Sequence, residues 1–285
     1  MSIPEEDQLK PIPRTDWTEL RDMFKREWPK HEVAYNSIQN YMNWVTIEPR
    51  IKNLEVLGLN DSWRDNGTYV IVDRYQVFLY SLDESDESLK RALLLVDWDY
   101  SYMICCVHES RHSVLKEVFK LHEVDFKWEA HSILYELPLE DCLNLNVSLP
   151  EGLHLRKLEE KHLSIANKHW PWRHEGSEYF LKRIATWNIS LGLFNECDEL
   201  LAWCFLWPTG AIGPLEVAKN QLRKGYGSLI LKAMAKEVAK IGLNCYGTVF
   251  SGNSPSVAMF EKAGFQSVDK HYFVRTRAKK LVEFT

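Results

Sequence analysis

Apolar residues recur at helical spacing over residues 17–28, with Thr15 or Asp16 placed to cap the first turn and Pro29 to stop the last. The stretch TYVIVDRYQVFLYSL at 68–82 is β-branched and aromatic around a central Asp73-Arg74, the pattern of a hairpin. Residues 92–108 read as a further strand or strand pair. Residues 110–122 read as a helix capped by Ser110, with Val114, Leu115, Val118, Phe119 and Leu121 on its buried side. Periodicity then lapses across LPLEDCLNLNVSLPEG at 137–152, and a domain boundary is expected there, dividing residues 1–145 from residues 150–285.

The second half alternates more plainly. A strand at 153–158 precedes helices at 159–170 and 177–188, which the bulky loop PWRHEG separates. Three strands follow, at 191–195, 200–207 and 211–217, then a helix at 226–241 and a strand at 244–250. A helix at 255–263 is bounded by Ser254 as its cap, Pro255 in its first turn and Gly264 as its left-handed close. A strand at 265–275 ends the pattern. The order predicts two mixed α/β domains, each with a largely antiparallel sheet flanked by helices.

Composition narrows the function classes. With 45% hydrophobic and 26% charged residues, the chain has the make-up of a globular protein. A formal charge of -5 and the lack of a clustered basic face argue against nucleic acid as partner. The longest apolar runs fall far short of the ~20 residues that span a bilayer, so no membrane partner is expected. The opening MSIPEEDQLKPIPR is acidic and proline-broken, unlike a secretory signal or a transit peptide, and a cytoplasmic location is expected. The 6 cysteines form no CxxC pair and read as buried free thiols.

The chemistry concentrates in LRKGYGSLILKAMAK at 222–236. Gly225 and Gly227 let the backbone turn tightly, and the helix that begins there directs its positive dipole end into the same space. Arg223 and Lys224 add full charges, which suits a pyrophosphate better than a single carboxylate; a plain strand-to-helix turn with solvated cations would carry the same residues. A dinucleotide fingerprint is excluded because its third glycine is Ile230 and Cys245 stands where an acidic residue is needed. A phosphate loop of the Gly-Lys-Ser type is excluded because Gly227 precedes Ser228 directly.

Leu215-Glu216-Val217, the RKGYGS turn, a helix, a strand and then NSPSVAMFEKAGF at 253–265 resemble, in order and separation, the two signature motifs of the GCN5-related N-acetyltransferase (GNAT) superfamily. Residues 166–170 and 177–183 further resemble its glycine N-acyltransferase-like branch. The resemblance covers about residues 153–276, and the N-terminal half is expected to be a degenerate copy without the phosphate turn. It implies an acyl-CoA co-substrate, acetyl-CoA or a longer one, and a small amine or amino-acid acceptor such as glycine. A mitochondrial location is also implied by analogy with that branch.

Site residues follow from the same resemblance. Leu215 and Val217 would offer backbone to the pantetheine arm from a strand splayed away from its neighbour. Arg223, Lys224, Gly225, Tyr226, Gly227 and Ser228 would hold the pyrophosphate, and Asn253, Ser256 and Phe260 would face the same co-substrate. Three positions depart from the superfamily: Leu222 replaces an Arg or Gln, Ala211 an early carboxylate, and Phe260 the tyrosine that protonates the leaving thiolate. A thiol with pKa near ~8.5 leaves as thiolate without an acid. Glu216 and His174, the latter beside Glu175 in the PWRHEG loop, are the candidates for deprotonating the amine, each with a solvated or salt-bridged surface residue as the alternative. Of Trp170, Trp172, Trp203 and Trp207, at most two are expected to line a channel and the rest to be core.

Two rival readings remain. A weak or inactive acyl-CoA-binding protein fits the losses at Ala211 and Phe260. A zinc peptidase is spelled by His108-Glu109-Ser-Arg-His112, yet that motif requires a continuous helix where MICCVH reads as a strand, so no metal is expected.

Overall fold

The computed structural model describes residues 7–280, so the leading MSIPEE lies outside the described residues. The chain divides into two compact units, residues 1–131 with 270–285 and residues 132–269. The expected boundary lay some fifteen residues further on, and the last strand was assigned wholly to the second domain.

In the first unit, β1 (Leu9–Pro11), β2 (Leu54–Leu59), β3 (Tyr69–Asp73) and β4 (Gln76–Tyr80) form an antiparallel run in that order. The 68–82 hairpin is β3–β4, with Asp73 opposite Gln76 and Arg74 turning at φ +54°. Next to β4, in parallel, lies β5 (Met103–His108). Antiparallel to β5 runs the later part of β13 (Gln266–Thr276), with Arg275 opposite Met103. The helices are α1 (Trp17–Met23), α2 (Glu32–Ile47), α3 (Trp63–Asn66), α4 (Glu87–Leu94) and α5 (Glu109–Leu121).

Three expectations change here. The first helix stops at Met23, five residues early. Residues 92–94 end α4 and 95–96 turn out of it, with no strand there: Leu89, Ala92, Leu93 and Val96 recur at helical spacing and enter one core with Leu57, Val70, Leu115 and Val274. His108, not Ser110, caps α5, its Nδ1 accepting the Ser110 N–H at 3.1 Å.

In the second unit the later part of β6 (Phe126–Leu137) pairs with β12 (Cys245–Phe250), which pairs in parallel with β10 (Ala211–Ile212). A separate antiparallel sheet has the order β11 (Glu216–Val217), β9 (Leu200–Phe205), β8 (Ser190–Asn195), β7 (Leu153–Arg156). Its helices are α6 (Leu139–Asn144), α7 (Glu160–His169), α8 (Ser177–Trp187), α9 (Tyr226–Lys240) and α10 (Ser254–Lys262). The buried stripe of α9, Ile230, Leu231, Met234, Ala235 and Val238, shares a core with Leu193, Ala202, Cys245 and Phe260. Burying such a stripe, at ~25 cal/mol per Å², holds a helix that propensity alone leaves marginal.

The chain runs strand, helix, strand, helix, strand twice: first β4, α4, β5, α5, β6, then β10/β11, α9, β12, α10, β13. The first helix turns of the two runs differ in sign. Before α4 stands Asp83-Glu84-Ser85-Asp86, and the Asp83 carboxylate accepts the N–H groups of Ser85 and Ser88, each at 3.0 Å. Those bonds, with the Ser85 hydroxyl foremost, pull its pKa down to about 2.

Candidate functional site

The strand expected at 211–217 is broken. Ala211 and Ile212 pair with Tyr246 and Gly247, whereas Glu216 and Val217 pair with Trp203 and Ala202 of the other sheet. Pro214, joined to Gly213 by a cis bond, sits in the break and has no N–H for a ladder. Beyond Gly247, β12 therefore loses its partner on this side, and a gap opens between 213–217 and 248–250. It is a cavity of about 110 Å³ whose walls include Trp170, Trp172, Leu215, Glu216, Thr248 and Phe250, with Asn253, Ser256, Met259 and Phe260 from α10.

Glu216 is the one charged side chain among the lining residues. Among the described residues it has no ion pair, and burial alone pushes its carboxyl pKa up to about 7. Thr248 on β12 lines the same gap, its Oγ1 shut off from solvent without a hydrogen-bond partner among the described residues.

The glycine turn follows β11 in the chain. Arg223 and Gly225 both adopt left-handed backbone, φ +63° and +83°. The Tyr226, Gly227 and Ser228 N–H groups precede the first intrahelical bond of α9, from Leu229 N–H to the Gly225 carbonyl at 3.1 Å. A Cβ on Gly227 would lie 3.1 Å from Met259 Sδ and 3.5 Å from Val217 Cγ2, so glycine there lets the helix start close against β11 and α10. Lys224 Nζ donates to Gln221 Oε1 at 2.8 Å, and neither Lys224 nor Arg223 pairs with a carboxylate among the described residues. Leu222 is 57% exposed, outside the turn.

Asn253, not Ser254, caps α10; its Oδ1 accepts the Ser256 N–H at 3.3 Å, and both residues line the cavity. His174 does not join Glu216. Its ring nitrogen Nδ1 donates to the Glu175 carbonyl at 2.6 Å, its ring packs near Trp170, and it is not among the lining residues. Trp170 and Trp172 line the cavity, while Trp203 and Trp207 are core.

Residues 190–274 match the family model described as FR47-like protein, a span holding the broken strand, the glycine turn, α9, β12 and α10. No curated protein matches the chain by sequence. A Drosophila protein of solved structure superposes with a TM-score of 0.87 at 22% identity, over 96% of this chain and all of that one. A GCN5-related N-acetyltransferase from Sphaerobacter thermophilus superposes at 0.59 with 12% identity, over 98% of each chain. A tandem GNAT protein from the clavulanic acid biosynthesis pathway does so at 0.58 with 11% identity, over 98% of this chain and all of that one. The fold is that of the GCN5-related N-acetyltransferases. Because the tandem GNAT protein aligns over nearly the whole chain, both units fall within that description.

Within the GNAT fold, Phe260 occupies the position the resemblance gives to tyrosine and is 3% exposed, packed on Tyr135 and Phe265. A Cβ on Gly247 would come within 2.1 Å of its ring. Gly247→Ala should therefore lower unfolding stability by ~1–3 kcal/mol, the usual cost of overpacking, read as a lower denaturant midpoint with an unchanged slope. Ala211 is buried in the β10 ladder and offers no carboxylate.

The HExxH spelling does not form a metal site. His108 ends β5, whereas His112 lies in α5, its Nε2 3.0 Å from Glu129 and its ring stacked on Tyr272 at 3.7 Å. Glu109 lies 3.6 Å from His131. Among the described residues no group of three or more His, Cys, Asp or Glu side chains could hold a metal ion. Sequence reading missed Thr248, Phe250 and Met259. A threonine in an apolar strand was the only signal for the first, and nothing local distinguishes it from ordinary strand composition.

Proposed function

We propose that the chain is an acyl-CoA-dependent N-acyltransferase that acts on a primary amine, with Glu216 as the general base. The observation that carries this reading is a half-buried carboxylate with no ion pair among the described residues, placed where the chain crosses between two sheets and shortly before a helix N-terminus that has no side-chain cap and two adjacent cations.

The residues fit acyl-CoA as a substrate. The outer edge of residues 215–217 has backbone to offer an extended pantetheine arm, in the manner of an added strand. Arg223, Lys224 and the N–H groups at Tyr226, Gly227 and Ser228 suit its pyrophosphate. The bound thioester supplies an activated acyl carbonyl. Glu216 takes a proton from the acceptor ammonium, freeing the nitrogen lone pair to form the amide bond as the carbon–sulfur bond breaks. The thiolate then leaves without a side-chain acid at position 260. Holding both reactants in one gap supplies the proximity on which such transfers depend. In the first unit Asp83 already fills the corresponding helix start, which supports a single co-substrate site in the second unit.

The glycine N-acyltransferase-like resemblance makes glycine and other small amino acids the first acceptors to consider. Purified protein incubated with acetyl-CoA and an amine panel should release free CoA thiol above the uncatalysed rate. Stabilisation by CoA without any turnover would instead favour an acyl-CoA-binding protein, for which Ala211 and Phe260 are the supporting features.

A further inference from the structure

The residues on the acceptor side of the gap define more than a primary amine. We infer that the acceptor is an amine carried on an apolar or aromatic body and lacking a carboxylate, an arylalkylamine rather than glycine or another amino acid. This rests on the acyltransfer reading above and specifies its substrate class.

A zwitterionic acceptor brings a carboxylate next to its amine, and a buried carboxylate needs a cation or several N–H donors. Among the described residues the lining holds no Lys, Arg or His, and, Glu216 and Thr248 aside, its polar side chains Asn253 and Ser256 are the two that the resemblance gives to the co-substrate. The adjacent cation in sequence, Arg173, is exposed, and its Nη1 donates to the Lys168 carbonyl at 2.6 Å. The amine's carboxylate would instead meet Glu216, a like charge. What the lining does offer is aromatic surface. The Trp172 and Phe250 rings lie 4.6 Å apart at an interplanar angle of 53°, and Trp170 adds a third ring. Such faces hold an apolar body and tolerate an ammonium beside them. Glu216 supplies the anionic contact that an ammonium head requires.

The transfer balances without a further reactant. An ammonium and the thioester give the amide, free CoA thiol and one proton: one ammonium proton leaves through Glu216 to solvent, and a second accompanies the thiolate once the carbon–nitrogen bond has formed.

The decisive comparison uses molecules that differ only in the carboxylate. Wild-type protein with acetyl-CoA should acetylate 2-phenylethylamine with kcat/KM exceeding that for L-phenylalanine by roughly 100-fold or more, the scale on which an unpaired buried polar group penalises a substrate. Ethylamine should likewise exceed glycine. Trp172→Arg, which places a cation in the wall, should shift the ratio toward L-phenylalanine by at least roughly tenfold, one well-placed interaction's worth. Glycine or L-phenylalanine acylated as well as its decarboxylated partner overturns the inference while leaving the acyltransfer reading in place. Acylation of neither class overturns both.

Discussion

Glu216→Gln is expected to reduce kcat by roughly 100- to 10,000-fold, the contribution of a positioned general base, while CoA still raises the melting midpoint as it does in wild type. The amide keeps the size and hydrogen-bonding shape of the carboxylate, so a binding role alone would predict a far smaller loss. The pH dependence separates the two further. With a carboxyl pKa of about 7 in the free protein, the wild-type kcat/KM should rise tenfold per unit below that value, because only the ionised form accepts a proton. The Gln variant should lose this inflection.

The same residue makes an opposite prediction for stability. Burial raises the folded pKa to about 7 from an ordinary value of 4.5, so between those values the folded state binds more protons than the unfolded chain. Stability contributed by the protonated form is fully present below the unfolded value and is lost as pH rises through the folded one. At pH 8 the buried anion costs on the order of 2 kcal/mol, after allowance for its partial exposure. Glu216→Gln should therefore be more stable than wild type at pH 8 and equal to it near pH 4.5, measured by denaturant unfolding. A variant that gains stability as it loses turnover is the mark of a group held in a costly environment for function. Equal stability at both pH values would place Glu216 in solvent and remove it as base.

What the sequence disclosed and what it hid follow from the range of the interactions. The α9 turn was legible because each of its signals is local: two glycines, two cations and a stripe repeating every three to four residues. The break at residues 213–215 was signalled by Gly213-Pro214 but passed over because apolar residues stand on both sides of it, although a proline inside a strand already argues against continuity. Residues 92–96 looked like the start of a strand because a short apolar run has no period of its own; their place in one core with Leu89 and Leu115 shows the helical spacing. The helix α2 went unassigned although Ala34, Ile38, Tyr41 and Trp44 hold helical spacing and are buried, because Tyr, Asn and Gln between them dilute the pattern. Glu216 could be named as a candidate but not ranked, since its missing partners and its burial belong to the tertiary structure. Thr248 is the extreme case: that it lines the gap at all is decided by strand pairings far from it in sequence.

Gly225→Glu should abolish CoA binding while leaving a folded protein. Wild-type protein at CoA concentrations near 100 times the dissociation constant gains ~2.7 kcal/mol, seen as a raised melting midpoint; the variant should show no shift at the same concentration. The backbone at Gly225 has φ +83°, where a side chain costs ~1–3 kcal/mol, but no atom lies within 4 Å of an added Cβ, so the chain has room for it. A carboxylate there also sits at the start of α9, where its charge favours the helix dipole and offsets part of that cost. The position that suits folding is the one the pyrophosphate requires, and two anions cannot share it, much as Asp83 already occupies the corresponding turn of the first unit. Gly225→Asn separates strain from charge: asparagine tolerates left-handed backbone and brings no charge, so it should retain most of the CoA shift. If the Glu variant binds as wild type does, the turn holds no phosphate. If both variants fail to bind, the requirement is for glycine's backbone approach, with charge secondary.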